Sequence, residues 1–366
     1  MSIAIDEFPY LCEADKALPS IVQKFMDSGA PSRGNLKLVL CGSTIAHMEE
    51  LLAERNPLYG RQTGVYDIGP LPLREAVGFY PDYSPEDAVT AYAIFGGVPY
   101  YLESCDLAAS LEKNVVDTLL ARRSRLADEP TNLLRSETRG STRYFGIIHA
   151  IADGCTKSGD IKNRVGDGGD GHDVGWYLAR LKAMRVVRVE RSMDATERER
   201  DRRYVIDDPL AAFWFRFVHP NQSAINRGFG DHVFRDRILP ALSEYMGGAF
   251  EDICRDHVRL WGHEFLPSPV LEVGKVWADD YDLDIAGELI DKSFVYGECK
   301  WRGQALGESV LDHLVDCANR TRYGRDTTKR HFVLFSKTGF TPSLEYISRN
   351  DPSLHLVSLK DIVRRA

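Results

Sequence analysis

The chain has 366 residues, 43% hydrophobic and 27% charged, with a net charge of -8 and a pI of about 5.7. That length predicts two or three domains, and the acidic balance confines any nucleic-acid contact to a local basic patch. No run approaches ~18 apolar residues and Met1 leads into no basic-then-apolar segment, which argues against a membrane span or signal peptide. The seven cysteines, at 12, 41, 105, 155, 254, 299 and 317, form no C-x-x-C pair. Reduced thiols in a cytoplasm are expected, rather than a zinc site.

In chain order, Ser2-Ile3-Ala4-Ile5 reads as a buried parallel strand running into Asp6-Glu7. An acidic pair at a strand's carboxyl end is where open α/β sheets bind ligands: Asp6 suits a magnesium nucleotide, and Glu7 suits a water attacking a phosphate. Leu18, Ile21, Val22, Phe25 and Met26 share one helical face. Leu36 to Cys41 is a second strand ending in Gly42-Ser43-Thr44. Ser43 is a candidate contact to a γ-phosphate, or it caps the helix that begins at Ile45. A third short strand is predicted from Val65 to Ile68. The loop residue Arg61 before it either reaches a phosphate or stays solvated. Residues 85–103 predict a helical region broken at Gly96-Gly97-Val98-Pro99.

Several of these stretches are long enough to be specific: Ile5-Asp6-Glu7-Phe8-Pro9-Tyr10-Leu11, Cys41-Gly42-Ser43-Thr44, Asn56 to Gly64, Pro70 to Ala76, and Tyr92 to Leu102. Together they resemble an archaeal and bacterial ATPase family of the AAA+/STAND group, over nearly the whole chain and in the same order. The resemblance implies a P-loop-type sheet with a helical lid, a winged helix and a C-terminal domain, and ATP with Mg2+ as cofactors of the complete protein. On that pattern Asp6 is the Walker B magnesium residue, Glu7 the water-orienting base and Ser43 the sensor. The sequence departs from the pattern in having no G-x-x-x-x-G-K-S/T phosphate loop. The expectation is an N-terminally truncated member that does not turn over ATP by itself.

Further along, residues 104–140 read as a helical connector whose Arg122-Arg123-Ser124-Arg125 cluster is a solvated helix end. Residues 141–206 have the pattern of a winged helix. A helix around Tyr144 to Ala152 comes first, then one capped by Ser158, then a third from His172 to Met184. A hairpin of Val186 to Arg191 with Arg202 to Ile206 follows. Arg180, Lys182 and Arg185 favour DNA, whereas Asp170, Asp173 and the mixed-sign tip 194–201 favour packing against protein. The aromatic run Phe213-Trp214-Phe215 with Phe217 is too dense for a solvated helix and predicts core packing.

Near the C-terminus a helix opens at Gly247 and carries Glu251. Asp282 to Ala286 and Ser293 to Trp301 read as two paired strands that bring Asp284, Glu298 and Lys300 together. Two carboxylates can hold Mg2+, and a lysine beside them can orient or deprotonate water for phosphodiester attack. This pattern resembles the PD-(D/E)XK nuclease fold, with Glu251 matching its helical acidic residue. A salt-bridged site without turnover is the other outcome. Phe332 to Ser336 adds a strand after a helix near Glu308 to Asn319.

The fold class predicted is therefore α/β. It comprises a partial P-loop-type ATPase sheet with lid (1–110), a helical connector (111–140), a winged helix (141–206), a second connector (207–246) and a restriction-endonuclease-like α/β domain (247–366). Three functions follow: a member of that ATPase family with DNA as partner, a Mg2+-dependent DNA nuclease or DNA-binding protein, or a regulatory scaffold with vestigial sites.

Overall fold

A computed structural model describes every residue except 43–44, 139–141, 167–171, 197–201 and 365–366. The chain divides into two compact units, Met1–Gly69 with Ala179–Val186, and Pro70–Leu178 with Val187–Ala366.

In the first unit, β1 (Ser2–Ile5) and β2 (Lys37–Leu40) pair in parallel, from Ser2 against Lys37 to Ile5 against Leu40. A parallel pair needs a crossover, and the helices Phe8–Ala14 and Leu18–Asp27 lie in it. The pairing runs on past the strands, with Cys41 donating to the Ile5 carbonyl and Phe8 to the Cys41 carbonyl, each at 2.9 Å. Gly42 is required there, because a Cβ would lie 2.8 Å from the Pro9 ring. The core is small: Phe8, Cys12, Val22, Leu51 and Leu58. Ile21 and Phe25, on the predicted helical face, stay substantially exposed.

Val65 to Ile68 corrects one expectation, since it forms no strand. Val65, Tyr66 and Ile68 are 68%, 87% and 92% exposed. β-branched and aromatic residues favour a strand only where a pleated neighbour covers them, and this segment pairs with none.

In the second unit, Ser84 caps the helix Pro85–Phe95 by accepting from the Asp87 N–H. That helix ends at Gly96, whose φ of +67° suits glycine, and Pro99–Leu102 resumes beyond it. Helices Thr142–Ala152 and Ser158–Val165 precede an antiparallel hairpin of β3 (Val187–Arg191) and β4 (Arg202–Ile206), with Val187 opposite Ile206; the helix Val174–Ala183 that comes between them in the chain belongs to this unit only up to Leu178. Lys157, not Ser158, occupies the cap position of the middle helix, and its side chain makes no capping bond. Phe213, Trp214 and Phe215 are fully buried, and the Trp214 indole donates to the Ala127 carbonyl at 2.7 Å.

The helix expected to open at Gly247 begins at Leu239 and runs unbroken to Trp261. Buried Met246, Phe250, Ile253, Cys254 and Val258 recur at helical spacing on the side facing the sheet. That stripe carries the helix through Gly247-Gly248 despite a cost of about 1 kcal/mol per glycine relative to alanine. The boundary expected between 246 and 247 thus falls inside a continuous element.

This helix covers a five-stranded sheet in the order β5 (Val270–Trp277), β6 (Asp282–Leu289), β7 (Phe294–Lys300), β8 (Arg330–Ser336), β9 (Leu354–Ser358). The first three strands are antiparallel, and β7–β8 and β8–β9 are parallel. Helices Glu308–Arg320 and Pro342–Asn350 make the two crossovers. Ile285, Val295, Val333 and Phe335 pack toward the long helix, and Leu283, Ala286, Tyr296 and Leu334 pack toward the crossover helices. No helix among the described residues is long and apolar enough to cross a membrane.

Candidate functional site

The buried set in β6 shows where the site arises. Leu283 and Ala286 face one side, Ile285 and Leu289 the other, so the alternation breaks at Asp284. The register explains it. Gly274 pairs with Ala286 and Val276 with Leu283, leaving Asp284 and Ile285 together opposite the single residue Lys275. This is a β-bulge, a device that re-aims a side chain next to a site.

On its other side β6 pairs Ile285 with Gly297, and one further step in that register sets Asp284 across from Glu298. Both carboxylates are 6% exposed. Asp284 Oδ2 accepts the Cys299 N–H at 2.9 Å. Lys300, two residues beyond Glu298 and on the same face, pairs with it. The hairpin therefore assembles Asp284, Glu298 and Lys300 as the sequence alternation implies.

The long helix supplies the second layer. Glu251 Oε2 meets Lys275 Nζ at 2.7 Å and lies 4.0 Å from the Arg255 guanidinium. Arg255, buried, donates to the Asp284 carbonyl at 3.0 Å and pairs with Asp252. Arg188 from β3 bonds Asp252 at 2.7 Å and Glu190 at 2.9 Å. The hairpin is thus tied to the helix that borders Asp284.

Burial, together with the neighbouring Glu251 and Glu298 carboxylates, pushes the Asp284 carboxyl up to about 7. For Lys300 burial acts downward, but the Glu298 carboxylate outweighs it and holds the ammonium above its ordinary value. The network joins six carboxylates (Glu190, Asp207, Glu251, Asp252, Asp284, Glu298) to four cations (Arg188, Arg255, Lys275, Lys300). Among the described residues Asp284 is the one of the six whose carboxylate makes no ion pair. Buried charge without a partner is costly, so Asp284 suits an added cation. No three His, Cys, Asp or Glu side chains among the described residues converge closely enough to hold a metal ion. Two carboxylates completed by water and substrate phosphate are a common Mg2+ arrangement.

The N-terminal candidates lie differently. Asp6 is exposed just past β1, its Oδ1 accepting the Glu7 N–H at 3.0 Å. Glu7 adopts a left-handed φ of 50° as the chain turns into the helix Phe8–Ala14. Ser43 lies outside the described residues. Arg61 is engaged within its own unit, in a two-pronged pair with Asp27 at 2.9 Å and with the Pro57 and Tyr59 carbonyls at 3.0 Å. Such a guanidinium would have to break four bonds to reach a phosphate.

Sequence reasoning missed Lys275, Arg255 and Arg188. Arg255 carried a signal, sitting three and four residues after Asp252 and Glu251 on one helix. Lys275 carried none, because its role depends on a bulge in the neighbouring strand.

A family model, DUF234, described as archaeal and bacterial proteins of unknown function, matches residues 214–310. The uncharacterized protein MJECL04 of Methanocaldococcus jannaschii is 34% identical over 309 residues, spanning 82% of this chain and 67% of that protein. Among solved structures, the Walker-type ATPase PABY2304 of Pyrococcus abyssi aligns with a TM-score of 0.43 and 22% identity. That alignment covers 59% of this chain and 63%, under two thirds, of the other, a likeness too low to assign a fold.

Proposed function

The chain belongs to the family that includes M. jannaschii MJECL04, and we propose that it carries a Mg2+-dependent phosphodiesterase centre acting on DNA, built from Asp284, Glu298 and Lys300. The observation that carries the reading is the pair of buried carboxylates on β6 and β7, one with no ion-pair partner among the described residues and the other held by a lysine. Asp284 and Glu298 would hold the ion, which when bound supplies positive charge at the phosphate and an acidified water. Lys300 would hold a water or a phosphate oxygen through its Nζ, with Glu298 fixing the ammonium's direction. The Cys299 N–H fixes Asp284 from behind, and Arg255 fixes its backbone. The sheet order, antiparallel over three strands and parallel beyond, supports a restriction-endonuclease-like domain. The three helices and the hairpin support a winged helix that presents nucleic acid.

The test is incubation of the chain with plasmid DNA and Mg2+ or Mn2+. Metal-dependent nicking is expected, reduced at least ~100-fold by Lys300→Ala, the scale of a positioned proton-transfer group. Absence of cleavage by the wild type, or equal cleavage by Lys300→Ala, would sink the reading.

A second reading concerns the first unit, where the carboxyl ends of parallel β1 and β2 bring Asp6-Glu7 beside Cys41-Gly42. That arrangement supports a nucleotide-binding ancestry with ATP and Mg2+. These 366 residues contain no phosphate loop, so the chain alone is expected not to hydrolyse ATP. Hydrolysis that Glu7→Gln abolishes would contradict this.

A further inference from the structure

We infer that the Lys275 ammonium stands in for a second cation, so that the proposed centre accepts one divalent ion rather than two. The inference rests on the phosphodiesterase reading and fixes its metal count. Two-ion phosphodiester sites place their ions about 3.5–4 Å apart and need carboxylates to serve both. The third carboxylate here is already committed: Glu251 Oε2 lies 2.7 Å from Lys275 Nζ, with the Arg255 guanidinium at 4.0 Å on its other side.

The fold holds Lys275 in that place. It is the single residue opposite the Asp284–Ile285 bulge. Its carbonyl accepts the Met193 N–H at 2.8 Å, and two residues on the Trp277 N–H donates to Ser192 Oγ at 3.1 Å. Segment 192–193, just past β3, thus pins β5 at the level of the site. A second ion at Glu251 would have to displace the ammonium from its carboxylate and would leave a lysine cation beside a dication, a like-charge contact in a partly buried setting. Asp284 presents the opposite case. It is nine-tenths buried, its side chain is bonded to one backbone N–H, and it forms no ion pair among the described residues. The open place for a cation is therefore at Asp284, beside the Glu298–Lys300 pair, and the place at Glu251 is filled by the chain itself.

The experiment counts bound Mn2+ on the full chain by electron paramagnetic resonance of the free ion, with thermal melts confirming that each variant is folded. The expected result is one Mn2+ per chain for the wild type and for Lys275→Arg, two for Lys275→Met, and one again for Lys275→Met combined with Glu251→Gln. Two ions on the wild type, or one on a folded Lys275→Met, would overturn the inference while leaving the phosphodiesterase reading in place. A wild type that binds no Mn2+ would remove both. Rescue by arginine separates the role of the charge from a purely structural role of the side chain.

Discussion

Both units carry an acidic pair on a sheet, the first just past the end of β1 and the second within the neighbouring strands β6 and β7, yet the two pairs differ in almost every physical respect. Asp6 is exposed and bonded to its own neighbour's N–H, at the end of a two-stranded sheet over a core of five buried residues. Asp284 and Glu298 are buried in a five-stranded sheet with cores on both faces. Among the described residues arginine and lysine neighbours pair with every carboxylate of that network except Asp284. An exposed carboxylate is solvated and keeps ordinary chemistry. A buried one must be paired, protonated or given a metal. The same two residue types therefore point to different chemistry in the two places, and the difference lies in what surrounds them.

The largest expected effect probes the packing side of this contrast. Phe335→Ala removes a fully buried ring from β8 and should destabilise the second unit by about 3–5 kcal/mol. Val39→Ala, on a half-exposed position of β2, should cost about 0.5 kcal/mol or less. Chemical denaturation of both variants checks this, and comparable losses would remove the contrast between the sheets.

A subtler effect is the pH dependence of stability in metal-free protein. Asp284 titrates near 7 when folded, against about 3.9 unfolded. Its contribution is full below about 4 and is lost as pH rises through 7. Asp284→Asn should therefore gain stability relative to the wild type over that window. His257 runs the other way. Burial first, and then the nearby Arg74 cation, lower it to about 4, so its contribution is present above about 6.5 and is lost as pH falls through 4. Stability curves that coincide for wild type and Asp284→Asn would show that Asp284 is not perturbed.

Much of the site was legible because β-strand alternation is a two-residue code. Glu298 and Lys300 fall on one face from spacing alone, and the paired strands appear where the pattern sets them, whereas the aim of Asp284 depends on the bulge opposite Lys275. Elsewhere local pattern was insufficient. Val65 to Ile68 has the residues of a strand without a partner. Gly247-Gly248 looks like the start of a helix, but the apolar stripe from Met246 to Val258 carries one helix through it. Glu251 has the position of a metal ligand, yet a lysine from another strand reaches it first. Each of these depends on a long-range contact that neighbouring residues do not encode.

The central claim is that the cation centre lies in the C-terminal sheet and not at the end of β1. Isothermal titration of Mn2+ into Glu298→Gln and Glu7→Gln tests it most directly. Glu298→Gln is expected to weaken binding at least tenfold, about 1.4 kcal/mol, with Glu7→Gln binding as the wild type does. Unchanged affinity in Glu298→Gln, together with a loss in Glu7→Gln, would contradict it.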